Sequence, residues 1–284
     1  MKARVSRLQL VFPWALGAVG LLSVFHPMIL SGLRLMHAGL GDARLINYVL
    51  EHGFLWLTQH PGHENFWNPP IFYPYPNVSA FTDILLGTGP LYWIWRFLAG
   101  RPDTGFQLWL LSIWAMNYAA AYFMLRRTYE VGRVPSAFGA YVLAFGNVLQ
   151  ARFGQPQLIP LFYVLLAFTA LAEVLTREER VDPRRRVLWI AVFFACVVLQ
   201  AYTAIYVFFY FGFLLGIALL AALGNEDYRA RILELARRHR AALCVAAAAA
   251  GLMLAYLAGH YLETAHHVGV RAFQRRRFSR QTPS

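Results

Sequence analysis

The side chains able to do chemistry gather in the first 160 residues, most of them between 31 and 103. Asp42 follows Gly41, and after it Leu45, Ile46, Val49, Leu50, Gly53 and Trp56 recur at helical spacing. Asn47 and Glu51 fall on the opposite side of that wheel. Asp42 points toward the middle of the apolar face. As an N-cap its carboxylate would accept from the first free backbone N–H groups. As a carboxylate held at an apolar boundary it could take a proton from a hydroxyl or hold a metal ion. The two readings are compatible. Glu51 lies on the wrong face to join it, which leaves Asp83 as the second carboxylate.

The stretch FWNPPIFYPYPN holds four prolines and five aromatics in twelve residues. Proline removes donors and fixes φ, so this segment is ordered but not helical. Its aromatics, Trp67 and Tyr73 among them, suit a membrane-interface belt. The sharper reading is stacking on a sugar ring or gripping a lipid carrier. His52, His60 and His63 with Glu64 match no strong ligand spacing, so no metal and no other cofactor is expected. Further on, Gln150-Ala151-Arg152-Phe153-Gly154-Gln155-Pro156-Gln157 offers a guanidinium flanked by amides. Arg152, and less surely Arg44, could bind a phosphate or diphosphate group, against the plainer role of an interfacial anchor.

The elements that must position these residues are membrane helices. The chain is 58% hydrophobic and only 14% charged over 284 residues, where a soluble domain carries about 25% charged residues. Of the 26 basic residues all but Lys2 are arginine. They sit in short runs between apolar stretches, the pattern of the positive-inside rule rather than of a nucleic-acid-binding face. No nucleic-acid partner is expected. Near-exclusive arginine usage points to a GC-rich bacterial gene, so Asn77-Val78-Ser79 is not read as a glycosylation site. Cys196 and Cys244, inside apolar segments, read as buried small hydrophobes.

Apolar segments run from Leu8 to Leu30, Thr104 to Leu125, Val134 to Gln150, Gln157 to Leu175, Val187 to Leu223 and Ala241 to Gly259. The fifth is too long for one crossing, because its 37 residues would span about 55 Å as a helix. It must turn near Gln200 to Thr203. Residues 81–98 are apolar but hold Asp83, Arg96 and a Gly87-Thr88-Gly89-Pro90 break. If they do not cross, 16 basic residues fall on the cytoplasmic side and 10 outside. If they cross, the excess reverses. The expectation is an all-α polytopic bundle of about seven transmembrane helices in a bacterial inner membrane, its N-terminus in the cytoplasm. Residues 31–103 form a large outer loop with interfacial helices, 1–259 the bundle, and 260–284 a basic disordered tail.

One span, a Gly-Asp pair opening an amphipathic helix, then W-x-PP-x-FYP-x-PN and an acidic LLG segment resembles integral-membrane glycosyltransferases of the GT-C class. These include relatives of protein O-mannosyltransferases and uncharacterised bacterial members. The LRRTYEVGR turn is similar to theirs too, and the resemblance covers about residues 8 to 223. It implies sugar transfer from a polyprenyl-phosphate donor to an acceptor at the outer face, with Asp42 at the position of the first-loop acid. Members often carry Gly-His where this chain has Gly154-Gln155, and they are usually longer. A shortened copy with little activity alone is the corresponding expectation. The rival class is a non-catalytic membrane protein, a flippase or transporter component or an assembly partner. Transporters usually break their helices near the midplane, whereas most segments here are clean.

Overall fold

The computed structural model describes residues 7–37, 39, 41–175 and 182–269. Among these residues the only regular structure is helical. α1 (Arg7–Leu30) leads into a long connection that contains α2 (Asp42–Leu57), a 3-10 turn at Val78–Phe81 and α3 (Gly89–Ala99). α4 (Pro102–Arg127), α5 (Arg133–Phe145), the single turn α6 (Asn147–Gln150), a 3-10 turn at Pro156–Leu158 and α7 (Phe162–Leu175) follow. α8 (Pro183–Ala201), α9 (Ile205–Leu223), α10 (Glu226–Arg238) and α11 (Arg240–Val268) complete the described chain.

Five helical stretches are long and apolar enough to cross a membrane: Arg7–Leu30, Pro102–Arg127, Pro156–Leu175, Ile205–Leu223 and Arg240–Val268. Two further crossings expected from the sequence fall on α5 and α8. α5 has 13 residues, about 20 Å at 1.5 Å per residue, against a hydrocarbon core of about 30 Å. It stops at Gly146, where an added Cβ would lie 2.4 Å from Val142 O. α8 opens with Pro183 and three arginines, which shortens its apolar part. α3 has 11 residues and reaches about half the core thickness. The helix break between Ala201 and Ile205 divides the long apolar stretch into α8 and α9.

Packing fixes which helix ends lie together. Tyr118 on α4 donates to Pro13 O on α1 at 2.6 Å, while Trp114 meets Phe25 edge-on at 5.6 Å. α1 and α4 therefore run antiparallel. Gly17 and Gly20 let them and α5 close up, since a Cβ at Gly20 would sit 2.3 Å from the Phe145 ring. Arg127 pairs with Glu173 at 2.8 Å, placing the ends of α4 and α7 side by side. One end of the bundle thus gathers Arg126, Arg127, Arg133, Arg184–Arg186 and α10. The other gathers α2, α3, the α8–α9 turn and the end of α11; we call these the arginine end and the loop end.

The sequence-based boundary at 259 moves. α11 continues past Gly259 to Val268, because Tyr261 donates to Thr82 O at 2.7 Å and Thr264 to Asn77 O at 3.4 Å. Most of the expected basic tail lies outside the described residues. Cys196 is buried, but Cys244 is exposed on α11 and is not the buried hydrophobe expected.

Candidate functional site

Three segments from distant parts of the chain converge at the loop end. The first is α2. Its N-cap position is Gly41, which has no side chain to offer, and Asp42 is the first helical residue. The capping role expected of Asp42 is therefore corrected to that of an anion in the first turn, where the helix dipole favours negative charge. Asp42 is exposed, while Ile46 and Leu50 behind it are buried among Phe25, Tyr92 and Phe106.

α2 packs by both of its faces. Its polar side faces protein: Arg96 Nε lies 2.8 Å from Glu51, Tyr92 Oη donates to Glu51 at 2.7 Å, and Asn47 donates to Asp103 at 3.2 Å. Glu51 and Arg96 are only 15% and 17% exposed, so each ion satisfies the other out of water. α2 is bolted to α3 and to the start of α4.

The second segment runs from Thr82 to Gly89. Gly87 N–H donates to Tyr202 O at 2.9 Å and Gly87 O accepts from Tyr163 Oη at 2.8 Å. A Cβ at Gly87 would stand 2.3 Å from both Leu199 O and Thr203 Oγ1, so only glycine allows this approach. The clamp delivers Asp83 to the start of α9, where its Oδ1 accepts the Ile205 N–H at 2.6 Å. A helix N-terminus is a natural seat for an anion. Burial nevertheless dominates and raises the Asp83 carboxyl to about 6, the Ile205 N–H pulling the other way.

The third segment follows α6. Phe153 stacks on Trp114 at 5.2 Å, and Asn117 from α4 holds the chain at both sides of Pro160. Its Nδ2 donates to Ile159 O at 2.8 Å, and its Oδ1 accepts the Leu161 N–H at 2.9 Å. Arg152, just before the Phe153 anchor, is exposed, with Nη1 3.4 Å from Gln155 Oε1.

Asp42, Asp83 and Arg152 line one cavity of about 600 Å³. Gln155, Gln157, Tyr206 and Tyr210 complete its polar wall. Gln157 is 8% exposed, and its Oε1 has no hydrogen-bond partner among the described residues. A smaller, mostly apolar cavity of about 340 Å³ shares Leu45, Phe81 and Thr82 with the first and runs under the proline–aromatic loop. Neither lining contains Arg44, Trp67 or Tyr73. Arg44 is exposed on α2. Trp67 stacks on His260 at 3.8 Å and donates from Nε1 to Tyr256 Oη at 3.1 Å, bracing the loop against α11. Tyr73 is 95% exposed. The sequence reading passed over Tyr206 and Tyr210; their signal was two tyrosines four residues apart opening an otherwise hydroxyl-free apolar span.

The histidines hold the loop. His52 Nε2 is 2.9 Å from Phe66 O, which can only accept, so Nε2 carries the proton. His52 Nδ1 then accepts from His63 Nδ1 at 2.8 Å. Both nitrogens of His52 are thereby used. Burial pushes both histidines below the ordinary imidazole value; the charge of His63 adds to this at His52, and that of His60 at His63. Among the described residues there is no group of three or more His, Cys, Asp or Glu placed to hold a metal ion.

A family model described as a domain of unknown function, DUF6311, matches residues 14–278. The chain belongs to this family. No curated protein and no solved structure matches it. The DUF6311 region takes in the cavity, the proline–aromatic loop beside it and the part of α11 that braces the loop.

Proposed function

We propose that this DUF6311 protein is a membrane glycosyltransferase that moves a sugar from a polyprenyl-phosphate donor to an acceptor hydroxyl. The observation that supports it is the meeting of Asp42, Asp83 and Arg152 in one cavity at the loop end. Helices would cross a bacterial inner membrane with the arginine end in the cytoplasm, by the charge rule. The cavity then opens at the outer face, within reach of a lipid-borne phosphate.

Proton transfer works best when the acid–base group titrates near the working pH. Asp83, at about 6, is ionised yet basic near neutrality and takes the role of general base. Asp42, without a hydrogen-bond partner of its own among the described residues, orients the acceptor. The acceptor proton passes to Asp83 as its oxygen bonds the sugar anomeric carbon. The bond from that carbon to the phosphate oxygen breaks, and the electron pair leaves on the phosphate. Arg152 meets the growing charge there, with Gln155 and Gln157 as neutral partners. The apolar cavity beside Leu45 and Phe81 suits an uncharged part of the substrate. Arg44, Trp67 and Tyr73 would act only on portions of substrate outside the cavity.

The test is lipid extraction of the purified protein followed by mass spectrometry. A polyprenyl-phosphate species should accompany the wild type and be depleted at least tenfold in Arg152→Ala. An extract holding no such lipid, or holding it equally in both proteins, removes the donor from the proposal. Transfer assays of Asp42→Asn and Asp83→Asn then read the chemical roles, with a loss of about a hundredfold expected for the missing base.

A further inference from the structure

The arginine end holds a second space unrelated to the first. On α10, Tyr228, Ile232 and Leu235 fall on one helical face and close an apolar cavity of about 660 Å³ against Leu175 of α7 and Leu219 of α9. No acidic side chain lines it among the described residues. Arg231 stands at its rim: the guanidinium lies 5.2 Å over the Tyr228 ring and reaches Leu175 O at 3.5 Å. Tyr228 and Leu175 are both lining residues, so the charge is fixed at the mouth of the cavity. Among the described residues no carboxylate pairs with Arg231, whereas Arg229 and Arg238 have Glu226 at 3.8 Å and Glu234 at 3.0 Å.

We propose that this cavity binds one anionic phospholipid, its acyl chain in the apolar space and its phosphate on Arg231. The charge complementarity is local. A guanidinium offers five N–H donors in a planar fork that matches a phosphate, and one is engaged with a backbone carbonyl here. Among the described residues the neighbouring ion pairs leave Arg231 without a carboxylate of its own. α10 is amphipathic, its four arginines outnumbering three carboxylates, with Arg237 and Arg238 in its last turn. Basic pockets between helices on the arginine-rich side favour acidic headgroups. Free phosphate meets the charge but leaves the apolar cavity unfilled. A zwitterionic lipid fills the cavity but brings no net negative charge to the arginine.

The experiment is native mass spectrometry of the full chain in detergent with phosphatidylglycerol and phosphatidylcholine at equal concentration. One phosphatidylglycerol adduct should be retained in preference. Arg231→Ala should weaken its retention about fivefold, the scale for one basic residue near an anionic surface. Ala222→Trp fills the cavity, leaves Arg231 in place and should reduce retention of both lipids. Inorganic phosphate at millimolar concentration should not displace the adduct. Equal retention of the two lipids, displacement by phosphate, or undiminished binding in Ala222→Trp overturns the proposal, and the last remains decisive if Arg231→Ala fails to fold.

Discussion

Replacing Asp83 by asparagine should make the protein more stable at neutral pH. The carboxyl is raised from 3.8 to about 6 because it is buried. Keeping it ionised at pH 7.5 therefore costs on the order of 3 kcal/mol relative to an exposed aspartate. Asparagine retains an oxygen for the Ile205 N–H, now at 2.6 Å from Asp83 Oδ1. The value of about 6 already includes the pull of that N–H, so its greater strength toward the ionised form needs no separate subtraction. The expected gain is about 3 kcal/mol, an apparent Tm increase of about 6–12 °C in a chain of this size. A raised pKa leaves the wild-type stability whole below 3.8 and erodes it as pH rises through about 6. The difference between the two proteins should thus be small at pH 4 and grow to a plateau above pH 7. Thermal melts in detergent at pH 4, 6 and 7.5 measure it. A lower melt for Asp83→Asn at pH 7.5, or a gap that does not change with pH, would refute the burial argument. If Asp83 is the base proposed above, the stabilised variant should also be the inactive one.

The opposite pH trend should be seen locally at the histidine pair. Because burial lowers both imidazoles, the stability they lend is complete above about 6.5 and is lost as pH falls through their folded values; hydrogen-exchange protection of residues 58–68, corrected for the intrinsic pH dependence of exchange, should fall between pH 7.5 and 5.5, and unchanged protection would count against the pair. Gly87→Ala drives a methyl into Leu199 O and Thr203 Oγ1 and should cost about 2 kcal/mol or more, read as a lower melt, with a wild-type melt contradicting the clamp. Reporter fusions at Glu130 and Glu234 should report cytoplasm and those at Glu64 and Phe153 the outer side; an outward signal at Glu130 would mean that residues 81–98 cross.

What the sequence made legible was governed by local rules. Apolar runs bounded by arginines gave the helices, and length alone demanded the break that lies between Ala201 and Ile205. Local rules also mislead where a distant partner decides. Glu51 and Asn47 look solvated on a wheel, because nothing near them in sequence announces Arg96 or Asp103. Val134 to Gln150 reads as one span, yet the helix ends at Gly146, whose backbone turns extended while its N–H still bonds Val142 O. The cavity depends on the same long-range contacts. Charge counting could assign Asp42, Asp83 and Arg152 to one side of a membrane, but only two tertiary clamps bring them to one wall. One is the close approach of Gly87 to the α8–α9 turn; the other is Asn117, buried on α4, holding Ile159 and Leu161. Asn117 stands inside a mostly apolar helix. Its two hydrogen bonds explain why it sits there: they satisfy the backbone groups on either side of buried Pro160, which cannot donate. Asn117 thus serves the segment that shapes the cavity, and its chemistry becomes readable only when that segment is in view.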